Sequence, residues 1–202
     1  MRPMTIGILA YGSLISDPGA EIGPVIVRRI TGVQTPFRVE FSRSSRVRDR
    51  APTLVPVERG GARVSGVVLV LHESVTETAA RDMLYRRERN RVGRGDRYAD
   101  VDPSDPDSAF LGRLDGFAGL DVVFHAALRA NIDEPTPALL ARLAIESAAS
   151  PSGAVGRDGI SYLMDAMESG IVTPLMAGYE AEILQRTGGS DLQAARVIAR
   201  KR

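Results

Sequence analysis

Two short segments carry residues whose types and order could do chemistry. The first is Tyr11-Gly12-Ser13-Leu14, entered from the apolar run Ile6-Gly7-Ile8-Leu9-Ala10 and followed by Asp17-Pro18-Gly19. A β-branched run stopped by Gly and Ser reads as a buried strand ending in a tight turn. Glycine admits positive φ and close approach of a ligand, so consecutive N–H groups in such a turn can converge on an anion. Gly12-Ser13-Leu14 is therefore a candidate carboxylate cradle, with a plain strand-to-loop turn as the alternative. The second segment is Met83-Leu84-Tyr85-Arg86-Arg87-Glu88-Arg89-Asn90. With Ala80, Met83 and Leu84 facing inward, the helical stripe continues through Arg87 and Glu88 and brings charge to the edge of the core. A carboxylate at the rim of an apolar pocket exchanges protons near neutral pH, whereas arginine contacts oppose this. Glu88 is thus a candidate general base, with a surface ion pair as the alternative.

The elements that must position these groups follow from the hydrophobic pattern. Val25 to Val33 and Phe37-Arg38-Val39-Glu40-Phe41 read as strands, the second with clean alternation. Thr53-Leu54-Val55-Pro56-Val57 reads as an edge or bulged strand because of its proline. Gly60-Gly61 is a hairpin turn into Val64 to Leu71, whose apolar character predicts a place at the centre of a sheet. The period then changes. Thr76 and Glu77, with Ala79, Ala80, Met83, Leu84 and Arg87, predict an amphipathic helix to about Asn90. Asp100 to Ser108 is a polar loop, and Asp121 to Arg129 returns to strand character. From Thr136 onward the periods are helical, with further helices over about 158–167 and 175–186, the last ended by Gly188-Gly189. Residues 188–202 form a basic helix or tail beyond a single domain of residues 1–187. Strands first and helices last argue for an α+β fold on a mostly antiparallel sheet, open or closed, rather than βαβ units.

Bulk properties narrow the function. The chain has 202 residues, 26 basic against 25 acidic, and no cysteine. Near-neutral charge does not point to nucleic acid, and the Arg43 to Arg50 cluster, read as a solvated loop, lacks aromatic residues for base stacking. The absence of cysteine excludes disulfides and thiolate chemistry and fits a reducing compartment. Apolar runs are strand-sized, so the expectation is a soluble, cytoplasmic protein with no membrane partner. His72 and His125 lack a second ligand at metal spacing, so no metal site is expected. Ser13 has no histidine partner in the sequence that would make a triad. Tyr98 and Tyr162 are candidate pocket hydroxyls, with core packing as the alternative.

Taken in order, the strand entering Tyr11-Gly12-Ser13-Leu14, the apolar Gly66-Val67-Val68-Leu69 strand and the Arg86-Arg87-Glu88 helix resemble the γ-glutamylcyclotransferase fold family. Leu84-Tyr85-Arg86-Arg87-Glu88, Pro151-Ser152-Gly153, Ser161-Tyr162-Leu163 and Gly170-Ile171-Val172 are most similar to its ChaC-like branch. The resemblance spans about residues 5–176. It implies a small β-barrel with flanking helices and a cofactor-free release of 5-oxoproline from a γ-glutamyl amine, amino acid or peptide, glutathione being one such peptide. By the same resemblance Tyr11, Gly12, Ser13 and Leu14 hold the γ-glutamyl group and Glu88 moves the proton. The chain has no tryptophan where glutathione-specific members carry one after the turn, so the leaving group stays open. A non-catalytic ligand-binding or interaction module on the same barrel is the alternative. Oligomeric state is not specified by any feature of the sequence.

Overall fold

A computed structural model describes residues 3–102, 104–105 and 108–201. Residues 103, 106 and 107 of the expected polar loop and Arg202 of the expected tail lie outside the described residues. In chain order the elements are β1 (Ile6–Ala10), α1 (Gly19–Ile22), β2 (Ile26–Gln34), β3 (Arg38–Ser45), β4 (Ala51–Val57), β5 (Ser65–Leu71) and α2 (Glu77–Glu88). They continue with β6 (Ala109–Asp115), β7 (Val122–Leu128), α3 (Pro137–Ala148), α4 (Pro151–Ala154), α5 (Gly159–Glu168), α6 (Met176–Thr187) and α7 (Leu192–Ala199). The fold class is α+β. The chain divides into two compact units, Met1–Thr35 with Ser65–Arg129, and Pro36–Val64 with Ala130–Arg202.

The first unit is built on a mixed five-stranded sheet of order β2-β5-β1-β7-β6. β1 pairs antiparallel with β5, Ile8 opposite Leu69, and parallel with β7, Gly7 opposite Val123. All five β1 residues are buried, as an inner strand requires. The apolar 65–71 run lies inside the sheet, between β2 and β1, while the central place belongs to β1. On one face Ile6, Ile8, Ala10, Leu69, Leu71, Val122 and Phe124 pack with Ala80 and Leu84 of α2 and with Leu14 and Ile22. Each fully buried Leu or Ile contributes about 1.5–3 kcal/mol, so α2 is seated by its Ala80/Leu84 stripe. Thr76 starts this helix by accepting the Ala79 N–H at 3.2 Å, as its position before the apolar stripe predicts.

One expectation is met only in part, and another changes. Among the described residues no pairing joins β2 to β6, so the strand pairings do not close the sheet into a barrel. Gly60-Gly61 also does not turn β4 back onto β5. β5 enters the five-stranded sheet, and Ala62 instead bridges to Val39. Pattern alone could not distinguish these outcomes, because a Gly-Gly turn fixes the reversal of the chain and not the sheet that receives the next strand. β6 had no strand signal because Gly112 and Arg113 interrupt its alternation. The pairing of Gly112 with His125 of β7 supplies the reason for the glycine: a Cβ there would lie 2.0 Å from the imidazole Nε2.

The second unit holds the antiparallel β3–β4 pair and α3 to α7. Its β3–β4 turn places Asp49 and Arg50 at φ 46° and 68°, and Arg43 is a buried residue of β3 rather than part of a solvated loop. The buried carboxylate of Glu40 accepts from the Phe41 N–H at 2.9 Å, the Thr173 hydroxyl at 2.6 Å and the Leu175 N–H at 3.2 Å at the start of α6. Three helices of this unit carry side-chain N-caps, from Thr136, Asp158 and Asp191. The 192–199 segment is a helix capped by Asp191, with Leu192, Ala195 and Ala199 buried.

Candidate functional site

The turn after β1 is fixed at both ends. Ala10 pairs with Val67, and the Tyr11 hydroxyl donates to the Ala126 carbonyl of β7 at 2.5 Å. Between them Gly12 takes φ +67°, in the left-handed region where glycine carries no Cβ penalty. Gly12–Leu14 form one 3₁₀ turn closed by the Ile15 N–H on the Gly12 carbonyl at 3.1 Å, and the Asp17 N–H then binds the Ser13 carbonyl at 2.9 Å. The opening N–H groups of such a turn have no partner within it, and Tyr11 supplies no side-chain cap. Leu14 is buried in the core cluster, which anchors the turn from below.

Across from it, the last turn of α2 presents three consecutive charged residues with different partners. Arg86 clasps Glu21 of α1, Nε to Oε2 at 2.9 Å and Nη2 to Oε2 at 2.6 Å, and donates through Nη1 to the Asp96 carbonyl at 2.9 Å. Glu21 also accepts the Gly93 N–H at 2.6 Å. The Arg86 hydrogen bonds outweigh partial burial and hold the Glu21 carboxyl below its ordinary value.

Arg87 joins the two candidate segments. Its Nη1 donates to Glu88 Oε1 at 2.8 Å and its Nη2 to Ser13 Oγ at 3.2 Å. Nη2 and Nε both reach the Asp17 carbonyl, at 2.7 Å and 3.2 Å. The side chains of Arg87 and Glu88 are only 14% and 11% exposed, so this is a largely desolvated contact and not a rim ion pair. Glu88 and Ser13 are therefore separated by one guanidinium and two hydrogen bonds. The helical stripe signalled this arrangement, because Arg87 follows Leu84 by three residues on the inward face. The identity of its partner had no signal, since Ser13 lies 74 residues away in the chain.

The other candidates sit as follows. Tyr98 belongs to the same unit as the turn and Glu88. Its hydroxyl accepts the Leu111 N–H of β6 at 3.2 Å, its own N–H binds Asp82 Oδ1 at 2.8 Å, and its ring meets Tyr85 edge-on at 5.8 Å. Arg81 and Arg89 lie over the Tyr98 and Tyr85 rings, each at 5.8 Å, and Arg89 pairs with Asp105 at 3.1 Å. Tyr162 belongs to the second unit. There its hydroxyl accepts the Leu54 N–H at 3.3 Å, its ring stands edge-on to Phe41 at 6.2 Å, and Arg48 lies 5.2 Å from its centroid.

His125 is buried against Gly112, with Nδ1 3.2 Å from the same Ala126 carbonyl that Tyr11 binds. Burial pushes its imidazole below the ordinary value. His72 is exposed and shares a hydrogen bond with Ser74. Among the described residues no three carboxylate or imidazole groups gather at metal-ligand spacing, and no helix is long and apolar enough to cross a membrane. The second unit has an open cleft of about 580 Å³ lined by residues that include Phe37, Arg38, Val57, Glu58 and Arg63, none of them a sequence-predicted site residue.

No protein-family model matches the chain, and no curated protein matches it. The geometry of the turn and α2 is what bears on function.

Proposed function

We propose that the chain is a γ-glutamyl cyclotransferase of the ChaC-like kind, a cytoplasmic enzyme acting on a small γ-glutamyl compound without a cofactor. The observation that carries this reading is the Arg87 guanidinium bonded to Ser13 on one side and Glu88 on the other. It puts the candidate carboxylate cradle and the candidate base within the reach of one small substrate. The family's closed barrel is part of the reading, although the site itself needs only β1, β7 and α2.

In the reaction the substrate α-amino nitrogen attacks its own γ-carbonyl carbon. A C–N bond of the five-membered lactam forms and the C–N bond to the leaving amine breaks. The nitrogen sheds two protons in passing from ammonium to lactam N–H. Glu88 takes the two protons one after the other and returns each to the leaving nitrogen, which departs as an ammonium, so the protons balance and no co-reactant is consumed. General acid–base help of this kind contributes roughly 10²–10⁴-fold. The Gly12–Leu14 N–H groups hold the glutamyl carboxylate so that the chain folds into its near-attack geometry, which supplies much of the remainder.

The test is release of 5-oxoproline from a panel of γ-glutamyl amines, γ-glutamyl amino acids and glutathione. Activity on at least one member and a loss of about 10²–10⁴-fold in Glu88→Gln are expected. Full activity in that variant would refute the assigned chemistry. A second reading, ligand binding without turnover, is favoured by the Arg87–Glu88 ion pair, which commits a carboxylate oxygen of Glu88 to a shielded contact within the protein. Calorimetric binding of a panel member with no 5-oxoproline formed is its signature.

A further inference from the structure

We propose that Arg87 is a positioning residue that sets Glu88 and the 12–14 turn in register as one rigid unit and orients the Ser13 hydroxyl; the consequence for turnover rests on the cyclotransferase reading above. A guanidinium has five N–H donors in a fixed planar fork. Arg87 places Nε, both reaches of Nη2 and one of Nη1 on four acceptor contacts, the Asp17 carbonyl twice, Ser13 Oγ and Glu88 Oε1. The acceptors come from the two segments that the reaction needs together. Ser13 and Asp17 also bracket the turn, since the Asp17 N–H binds the Ser13 carbonyl. A single planar group thus holds the closing hydrogen bond of the turn and the base in one frame.

Two chemical consequences follow. Because Arg87 donates to Ser13 Oγ, the Ser13 hydroxyl hydrogen points elsewhere and is available to an acceptor on the substrate. Because Nη1 holds Oε1 of Glu88, that oxygen is fixed and the proton traffic is directed to Oε2. Lysine cannot reproduce this, since an ammonium is a point donor and cannot span two acceptors in a plane. Arg86 does not substitute for it, being committed to Glu21 and the Asp96 carbonyl.

The experiment compares wild type with Arg87→Met, Arg87→Lys and Arg87→Ala in two measurements. The first is amide hydrogen exchange at Ile15 and Asp17, whose N–H groups close the turn. It is expected to accelerate at least about tenfold in Arg87→Met while the Leu84 amide of α2 is unchanged. The second is 5-oxoproline release. There kcat is expected to fall about 100-fold in Arg87→Met with KM changed less than about threefold, the cost of a small misplacement of aligned groups. Arg87→Lys should recover only part of that loss. Free guanidinium should raise the rate of Arg87→Ala and leave Arg87→Met, whose side chain fills the space, unaffected. If Arg87→Met does not fold, Arg87→Lys carries both comparisons.

Unchanged exchange at Ile15 and Asp17 overturns the proposal, as does a kcat within about threefold of wild type in an active enzyme. If wild type releases no 5-oxoproline from any compound in the panel, the cyclotransferase reading fails. The clamp then stands or falls on the exchange measurement alone.

Discussion

Replacing Glu21 with glutamine removes one charge from the clasp between α1 and α2 and leaves its shape nearly intact. The wild-type carboxylate accepts from Arg86 Nε at 3.1 and 2.9 Å, Arg86 Nη2 at 2.6 Å and the Gly93 N–H at 2.6 Å. The side chains of Arg86 and Glu21 are 15% and 22% exposed, so the pair lies between the buried and the surface regimes. Hydrogen bonds to a charged group contribute about 1.5–3 kcal/mol when shielded, and exposed pairs about 0.2–1 kcal/mol. Glu21→Gln keeps the acceptor for Gly93 and weakens the Arg86 bonds, which sets the expected loss at about 1.5 kcal/mol. A double-mutant cycle with Arg86→Met, read from urea midpoints at pH 7, should return a coupling energy of about 1 kcal/mol.

The same cycle has a pH signature with a definite sign. Arg86 holds the Glu21 carboxyl below its ordinary value, so the unfolded chain binds that proton at a higher pH than the folded protein does. The stabilisation is complete above the unfolded-state value, near pH 4.3, and is lost as pH falls through the lower folded-state value. The coupling should therefore persist from pH 7 to about pH 5 and shrink toward zero in stronger acid. Additive effects at pH 7, or a coupling that grows on acidification, would refute the reasoning.

Gly12→Ala should cost about 1–2 kcal/mol in stability, because φ +67° is left-handed, and should abolish 5-oxoproline release if the turn relaxes to negative φ. Gly153→Ala in α4 should be more damaging, about 3 kcal/mol by urea denaturation, since a Cβ there would lie 1.9 Å from the Ala148 carbonyl oxygen. Tyr98→Phe removes the acceptor of the Leu111 N–H and should lower stability by about 1 kcal/mol. Measuring KM beside it tells whether that hydroxyl also contacts substrate.

The parts of the fold that could be read from the sequence are those whose signal is local. α2 begins at its Thr76 cap, α6 ends at Gly188 with φ 74°, β1 and β7 lie where apolar runs put them, and β2 lies where a loose alternation does. The parts that could not be read depend on what meets what. β6 needed the knowledge that Gly112 would face an imidazole, and the partner of β5 is chosen by packing at β1 rather than by the Gly60-Gly61 turn. Arg43 is a similar case, because nothing in a run of arginines marks the one that β3 turns inward. At the site, residue types and order located Gly12, Ser13 and Glu88. The groups that hold them, Arg87 on Ser13 and Ala126 on Tyr11, come from contacts between distant segments.

The last turn of α2 gives a reason why substitutions here will not act independently. Arg86 ties this turn to α1 and to the 93–96 segment, while Arg87 ties it to the 13–17 turn and to Glu88. Leu84, fully buried one turn earlier, fixes the helix against the sheet that carries β1 and β7. Weakening the Glu21 clasp loosens the seat of this last turn on α1, and with it the backbone that carries Arg87 and Glu88. Glu21→Gln should accordingly lower turnover more than its stability cost alone explains, and its effect on kcat should be far from additive with that of Arg87→Lys. Additive kcat losses in the double variant would mean that Arg86 and Arg87 hold separate structures, and that the register of Glu88 with the turn depends on Arg87 alone.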